Sequence, residues 1–396
     1  MPLALLFVAL FVFTYNFYEY GDQQFSDLAN SFLHYKLYFL DSSYYNQHLI
    51  DNVFFNNHYY WPLGPFPAVV LMPFVWLGNI FKFYFFQGNL NFFLVILLSY
   101  LIFKLARKIN FSITDSTYWC VAFIFSSMFL SIAMISSSWY FAHTITVLLL
   151  FLALLENFGK KRYFLIGLVL GLVLLTRLTA FIGILFFVFD ILLEKNYNWP
   201  EKIKNILKLA LIPIICLILL LTYNYARFNN PLDQGYRAQI LQSAFMVDKN
   251  HYGLFNLKYL PRGLYYSLIS MPKPVLESDS RLLKFPFVKA DPWGMSIFLT
   301  SPYLIYLFFI KIKNKAAIKL LLTSAIIWLI ISASFFIGWT QFGFRYALDF
   351  MPLLFVAFMM IYKDHKEKIS TSLKTIIILS AIFNLYLLYV TFLSSL

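Results

Sequence analysis

The feature that most constrains this chain is a series of long apolar runs separated by short clusters of basic residues. The runs do not alternate between apolar and polar side chains at every second residue, as the strands of a membrane barrel do. The chain is 61% hydrophobic and only 12% charged, whereas a soluble domain is roughly 45–50% apolar and about 25% charged. The sequence therefore predicts an all-α polytopic membrane protein.

We predict about eleven transmembrane helices within a single transmembrane domain of residues 1–396. The first apolar run is interpreted as a retained helix, because it lacks the basic region and the small-residue cleavage site of a signal peptide. The predicted spans are Met1–Phe17, Leu90–Leu105, Tyr118–Ile135, Trp139–Leu155, Phe164–Thr176, Ala180–Leu193, Leu209–Tyr225, Met295–Ile310, Leu320–Ile337, Tyr346–Tyr362 and Thr375–Leu393.

Two long polar segments interrupt the apolar runs, residues 19–89 and residues 227–291. The first segment contains a proline-rich apolar stretch over residues 62–86. Proline inside a helix costs about 3 kcal/mol or more unless it falls in the first turn. We therefore interpret this stretch as a helix lying in the membrane interface rather than crossing. A shorter helix is expected before it, over Ser26–Phe39.

The distribution of charge predicts the orientation of the chain. The net charge is +13, and the short loops after spans two, four, six, eight and ten hold more than half of the 31 Lys and Arg residues. Basic residues in short loops favour the cytoplasmic side. The N-terminus is thus expected inside, in a cell or inner membrane, with both long segments on the outer face. Because the basic residues lie in separate loops, membrane lipids are expected partners and nucleic acid is not.

Other motifs indicate packing rather than chemistry. Gly167 and Gly171 form a Gly-x-x-x-Gly pattern, which predicts close helix packing. Cys120 and Cys216 each lie in a predicted span, so they do not indicate a disulfide framework. No phosphate-binding loop, dinucleotide fingerprint or Cys/His zinc pattern is visible. No cofactor is predicted, and a divalent metal stays an open alternative that no residue pattern indicates.

Several stretches together suggest a family. They are GDQQFSDLANSFLHYKLYF, NNHYYWPLGPFPAVVLMPF, LIGLVLGLVLLTRLTA, YNYARFNNPLDQGY and GWTQFGFRYALDFMP. In these stretches the chain resembles the GT-C glycosyltransferases, the class that includes protein O-mannosyltransferases and the lipid A aminoarabinose transferase. It departs from the family at Gln23, which follows Asp22 where a second acid is usual. The resemblance implies a hexosyl- or pentosyltransferase that moves a sugar, with inversion, from a polyprenyl-phosphate donor to an unknown acceptor.

Such a reaction needs a carboxylate within hydrogen-bond reach of the acceptor hydroxyl. Asp22, a few residues after span one, is our first candidate for this catalytic base, although it could equally be an exposed loop acid or a helix cap. Asp27 is the second candidate, in a first helical turn where the dipole favours an acid anyway. Asp51 and Glu19 are the remaining alternatives.

The leaving phosphate needs cations, and the guanidinium fork suits its oxygens. Arg177 lies between two apolar segments, where a charged residue is functional by default; the alternative is that it snorkels to the lipid headgroups. Arg345 is the next candidate, with a structural pair to Asp349 as its alternative. Arg227 ends span seven, and its alternative role is an interface anchor.

Sugar or acceptor contacts are assigned to His58, Tyr60, Gln341 and Tyr346. Aromatic residues also collect at membrane interfaces for purely physical reasons. His143, within span four, is interpreted as a packing histidine rather than a metal ligand.

Three other functions stay open. A transporter would need polar residues near mid-span, broken helices or repeated halves, and most predicted spans are apolar at their centres. A polysaccharide polymerase or ligase would use the same lipid carrier with a large outer loop. A scaffold would leave the isolated Arg177 unexplained.

Overall fold

The computed structural model describes residues 22–241, 243–278 and 282–393, and these are mostly helical. In chain order the helices are α1 (Gln24–Leu33), α2 (Ser42–Gln47), α3 (Phe66–Phe81), α4 (Gln87–Lys108), α5 (Ile113–Ile124), α6 (Phe129–Met134), α7 (Ser138–Asn157), α8 (Tyr163–Leu174), α9 (Leu178–Phe181), α10 (Ile184–Leu192), α11 (Trp199–Phe228), α12 (Ser243–Tyr252), α13 (Leu260–Leu268), α14 (Ile297–Thr300), α15 (Lys315–Ser332), α16 (Met351–His365) and α17 (Thr371–Leu388). The strands are β1 (Val53–Phe55), β2 (His58–Tyr60), β3 (Lys273–Leu276), β4 (Leu283–Lys289), β5 (Trp293–Met295) and β6 (Gln341–Gly343).

Five of the described helices are long and apolar enough to cross a membrane: α4, α7, α11, α15 and α17 with its short extension. They correspond to predicted spans two, four, seven, nine and eleven, although α15 ends at Ser332 and not at the predicted Ile337. This confirms the prediction of a helical membrane protein. Predicted span one and Glu19 lie outside the described residues.

The chain divides into two compact units by its internal contacts. Within the described residues, the first unit holds residues 22–97, 134–184 and 191–253. The second unit holds residues 98–133, 185–190 and 254–393.

Helix α11 begins at Trp199, ten residues before the predicted start of span seven at Leu209. The reason is a capping box at its start. The Asn198 side chain accepts a hydrogen bond from the Glu201 backbone N–H, and the Glu201 carboxylate accepts one from the Asn198 N–H, both at 3.0 Å. Pro200 in the first turn is also favourable there.

The prediction of a single helix over Tyr118–Ile135 was wrong. Helix α5 stops at Ile124, and α6 begins only at Phe129. Ser127 accounts for the break, because its hydroxyl accepts a hydrogen bond from the Phe129 N–H at 3.0 Å and donates to the Phe123 carbonyl. Such local side-chain bonds compete with the helical backbone ladder.

A continuous helix over Met295–Ile310 is also wrong. Helix α14 is a single turn, and a 3-10 helix over Pro302–Phe308 follows it. Pro302 cannot continue an α-helix, because it lacks the backbone N–H. Predicted span six is likewise divided into α9 and α10, and predicted span ten starts as a 3-10 helix before α16. The helix expected over Ser26–Phe39 is the shorter α1.

In the first unit, α8 packs closely on α11 at two glycines. A Cβ atom at Gly167 would lie 2.3 Å from the Leu209 carbonyl oxygen, and one at Gly171 would lie 2.8 Å from the Cys216 sulfur. Only glycine allows this approach, which confirms the packing predicted from the Gly-x-x-x-Gly pattern.

The first polar segment folds onto the same unit. Strands β1 and β2 form an antiparallel hairpin, and its turn residues Asn56 and Asn57 have φ of 47° and 61°, which suits a tight hairpin turn. A small core joins the hairpin to the end of α11 through Val53, Tyr60 and Phe228. Helix α3 follows, with Pro67 in its first turn and Pro73 inside it.

In the second unit, α15 packs on α16 and α17 packs on α5. Trp119 is fully buried in this unit and makes edge-to-face contacts to Phe355 and Phe358. Two ion pairs stabilise helix ends: Asp115 binds Lys374 at 3.1 Å, and Asp190 binds Lys319. Strands β5 and β6 pair in parallel.

Candidate functional site

The backbone of Asp22 is fixed by three hydrogen bonds to its carbonyl oxygen. The donors are the Ser138 N–H at 3.1 Å, the Ser138 hydroxyl at 2.9 Å and the Gln87 side-chain amide at 2.9 Å. The Asp22 side chain itself is exposed. Within the described ranges its carboxylate makes no hydrogen bond or ion pair. Asp22 therefore combines a held backbone with an accessible carboxylate.

Gln87, at the start of α4, connects three segments. Its amide group is fully buried and also donates to the Ser136 carbonyl at 2.5 Å. Its backbone N–H donates to the Gln23 side-chain oxygen at 3.0 Å. Gln23 thus satisfies an N–H at a helix start that has no partner within the helix. This gives a structural role to the residue at which the chain departs from the GT-C pattern.

Asp27 has both carboxylate oxygens occupied. The Tyr45 hydroxyl donates to one at 2.5 Å, and the Tyr84 hydroxyl donates to the other at 2.8 Å. Burial raises the pKa of Asp27, although both hydrogen bonds act to lower it. Burial, and then the charge of Asp27, raise the pKa of Tyr45 and Tyr84. Asp27 therefore ties α1 to α2 and to the segment that precedes α4.

Asp51 joins the two polar segments. Its carboxylate accepts a hydrogen bond from the Trp139 indole at 3.2 Å. Its carbonyl accepts from the Gln239 side chain at 3.1 Å, and its N–H donates to the Ile240 carbonyl at 2.8 Å. Its φ of 70° lies in the left-handed region, which Asp tolerates better than most residues. Asp51 is held as a bridging residue.

Arg227 is a buried cation at the end of α11, 3% exposed. Its guanidinium donates to the Trp61 carbonyl at 2.7 Å and to the Asn224 side-chain oxygen at 3.0 Å. It lies 3.9 Å from the centroid of the Tyr223 ring and 4.6 Å from that of Phe228. Aromatic faces stabilise a desolvated cation. Among the described residues the buried Nε has no hydrogen-bond partner.

Arg177 is also buried, 7% exposed, and directly precedes α9. Two residues earlier, the Leu175 carbonyl accepts a hydrogen bond from the Phe66 N–H at 3.2 Å. A Cβ atom at Gly64 would lie 2.1 Å from that carbonyl oxygen, so only glycine fits. Residues 61–66 thus run against the end of α8 and, through Trp61, bind Arg227 at the end of α11.

A chain of contacts leads from the Asp22 side of this region to Arg227. Ser138 binds the Asp22 carbonyl, and its neighbour Trp139 packs on Trp61 with ring centroids 4.8 Å apart. Trp61 in turn accepts the hydrogen bond from Arg227. Gln87, Ser138 and Trp139 were not among the site residues predicted from the sequence. The only local signal was small polar residues before a tryptophan at a helix start.

His58 and Tyr60 lie two residues apart on β2. His58 is exposed and stacks on Tyr38, with centroids 3.8 Å apart and rings nearly parallel. Tyr60 is buried against Phe228, with centroids 5.2 Å apart. Burial raises the pKa of Tyr60. Of the two residues, His58 is the more accessible for a ligand.

The second unit holds the other three predicted residues. Gln341 is fully buried, and its amide donates to the Trp293 and Ile337 carbonyls, both at 2.6 Å. The Arg345 guanidinium lies 5.2 Å from the centroid of the Tyr346 ring and donates to the Trp339 carbonyl at 3.4 Å. These three residues belong to one local cluster, separate in the chain from the acids of the first unit.

The described ranges contain no group of three or more His, Cys, Asp or Glu side chains placed to hold a metal ion. The chain matches no protein-family model, and comparisons with curated proteins and with solved structures give no match either.

Proposed function

We propose that the chain is a membrane glycosyltransferase of the GT-C type. It transfers a sugar from a polyprenyl-phosphate donor to an acceptor at the outer face of the membrane. The observation that carries this proposal is the geometry of Asp22, which is fixed through its carbonyl oxygen while its carboxylate stays exposed. A general base needs both properties, a defined position and access to the substrate hydroxyl.

The other acids of the first polar segment are less suited to this role. Both oxygens of Asp27 accept hydrogen bonds from tyrosines. Asp51 accepts a hydrogen bond from Trp139 and is held through its backbone as well. A carboxylate already engaged in this way would have to exchange partners before it could accept a proton. Asp22 is therefore the favoured base and Asp27 the second.

Arg177 and Arg227 are the proposed donor-phosphate ligands in the same unit. Both are buried cations at helix ends, and residues 61–66 contact the two helix ends that carry them. A phosphate oxygen would satisfy the buried Nε of Arg227, which supports an anion at that position. His58 and Tyr60, in the same unit, are proposed to contact sugar or acceptor. Arg345 is proposed as a phosphate ligand, and Gln341 and Tyr346 as sugar or acceptor contacts, from the resemblance alone, since these three residues belong to the second unit.

The proposed reaction is a single inverting displacement. The Asp22 carboxylate accepts the proton of the acceptor hydroxyl as that oxygen attacks the anomeric carbon of the donor sugar. The bond between the anomeric carbon and the phosphate oxygen breaks, and its electron pair leaves with the polyprenyl phosphate. Arg177 and Arg227 stabilise the charge that develops on this phosphate. The eleven-span arrangement with a cytoplasmic N-terminus belongs to the same proposal.

The test uses the full-length protein in lipid vesicles, with radiolabelled polyprenyl-phosphate sugars and candidate acceptors. Asp22→Asn should reduce transfer by at least a hundredfold, since a general base typically contributes 10²–10⁴-fold, while donor binding persists. Asp41→Asn is the matched control, because Asp41 is an exposed acid of the same segment whose capping role asparagine can keep.

Equal transfer by the Asp22→Asn variant and the unaltered protein would remove Asp22 from the mechanism. The product also separates the alternatives. One sugar per acceptor supports a glycosyltransferase, a repeating polymer indicates a polymerase or ligase, and movement of intact donor across the bilayer indicates a transporter.

A further inference from the structure

A groove of about 700 Å³ runs along the first half of α11. Its apolar wall includes Phe164 from α8 and, from α11, Ile203, Leu207, Leu211 and Ile214. The α11 residues recur every three or four positions, so they form one face of the helix. All five of these side chains are at least half exposed, which leaves the groove open at its surface.

Two ammonium groups line the same groove. Lys204 and Lys208 lie one turn apart on α11, and both are exposed. Like charges at this spacing repel each other and destabilise a helix. Neither lysine forms an ion pair within the described ranges. Glu201, one turn earlier, is engaged in the capping box with Asn198. The groove is therefore apolar along its length and positively charged along its rim.

The groove is built by the close packing of α8 on α11. Gly167 and Gly171 bring the two backbones together. Phe164, one turn before Gly167, and the small Ala210 of α11 both line the groove. The sequence pattern that predicted helix packing therefore also shapes a concave surface.

The position along α11 places this surface at a membrane boundary. Only 22% of the apolar stretch of α11 is buried in the protein, so most of this stretch is accessible to surrounding lipid if α11 crosses a membrane. Trp199, 69% exposed, lies at its start, and tryptophan favours the interface between membrane and water. Arg227 lies 23 residues beyond Lys204, about 35 Å along a helix, which is close to the thickness of the hydrocarbon core.

We propose that this groove binds an anionic phospholipid. One acyl chain lies along Phe164, Leu207, Leu211 and Ile214, and the headgroup phosphate pairs with Lys204 and Lys208. Basic pockets between membrane helices bind acidic headgroups in this way. Because the groove lies at the opposite end of α11 from Arg227, it is distinct from the proposed donor site.

The test is a lipid titration of the full-length protein in non-ionic detergent, followed by native mass spectrometry. The probes are phosphatidylglycerol and phosphatidylcholine with matched acyl chains. We expect tighter binding of phosphatidylglycerol. The double variant Lys204→Gln/Lys208→Gln should weaken that binding about thirtyfold, from about 1 kcal/mol per basic residue, and leave phosphatidylcholine binding unchanged.

Two further variants make the result specific. Leu211→Trp fills the apolar wall without changing charge and should weaken the binding of both lipids. Lys313→Gln/Lys315→Gln removes two exposed lysines elsewhere and should change neither. Equal affinity for the two lipids, or unchanged phosphatidylglycerol binding in the Lys204→Gln/Lys208→Gln variant, would overturn the proposal. The readout does not involve sugar transfer, so it is independent of the proposed enzymatic activity.

Discussion

The two ends of α11 carry the same sign of charge in opposite settings. At its last turn Arg227 is buried, bound to a carbonyl and an amide oxygen, and stacked on aromatic rings. In its first turns Lys204 and Lys208 are exposed beside an apolar groove. A buried charge is tolerated only where the protein replaces its hydration. The Trp61 carbonyl and the Asn224 amide oxygen do this for Arg227, whose Nε has no partner among the described residues and is left for the proposed phosphate. The lysines keep their water and stay available to a ligand.

The difference between the two ends of α11 is tested most directly by substituting Arg227. Arg227→Ala removes two charge-assisted hydrogen bonds and the stacking on Tyr223, so the free energy of unfolding should fall by about 3 kcal/mol. The measurement is thermal unfolding in detergent micelles. Lys204→Gln/Lys208→Gln is the matched control and should change stability by less than about 0.5 kcal/mol. A similar loss in both variants would mean that burial does not distinguish the two ends.

The groove beside Lys204 and Lys208 can be disrupted without substituting a charged residue. Gly167→Leu forces a side chain against the Leu209 backbone, and overpacking of this kind costs about 1–3 kcal/mol. We expect a lower unfolding temperature and weaker phosphatidylglycerol binding in the same variant. Leu168→Ala, on the neighbouring, more exposed face of α8, should affect both measurements much less. Retained lipid binding in Gly167→Leu would separate the groove from the glycine packing.

The smallest expected effect concerns a buried and an exposed aspartate, which can be compared in the same way as the buried and exposed cations of α11. Burial raises the pKa of Asp27, whereas hydrogen bonds from Ser43 and the Tyr44 N–H lower the pKa of the exposed Asp41. The folded state therefore holds a proton at Asp27 after the unfolded chain has released it. The stability contributed by Asp27 falls as pH rises from its unfolded pKa, near 4, through its higher folded pKa.

Asp27→Asn should therefore flatten this downward slope in the unfolding temperature measured between pH 3 and pH 8. The stability contributed by Asp41 depends on pH in the opposite direction, because it is lost as pH falls through the lowered folded pKa of Asp41. Asp41→Asn should accordingly remove a loss of stability at the acid end. If both variants changed the pH profile in the same direction, the predicted opposite pKa shifts of the buried Asp27 and the exposed Asp41 would be contradicted.

The fold was predictable where one local pattern decides the outcome. Apolar runs identified the long helices α4, α7, α11, α15 and α17, and the paired glycines of α8 identified a close helix contact. The prediction failed where a single polar or cyclic residue interrupts such a run. Ser127 and Pro302 each divide a predicted span, and hydropathy averaged over a span is insensitive to one residue.

The candidate site was predictable in its residue types but not in its contacts. The acids and arginines of the polar segments were identifiable, yet their partners come from distant positions. The donors to Asp22 are Gln87 and Ser138, and the donors to Asp27 are Tyr45 and Tyr84. Nothing in the neighbouring sequence of an aspartate indicates whether a tyrosine far along the chain occupies its oxygens.

The sequence by itself determined that this chain belongs in a membrane, because transfer of long apolar runs out of water dominates every other local preference. It also determined which residues carry charge outside those runs. Only the tertiary structure decided which charged side chains are buried in the fold and which remain accessible to solvent. That choice depends on desolvation and on hydrogen bonds between residues far apart in sequence, as the buried Arg227 and the exposed Asp22 illustrate.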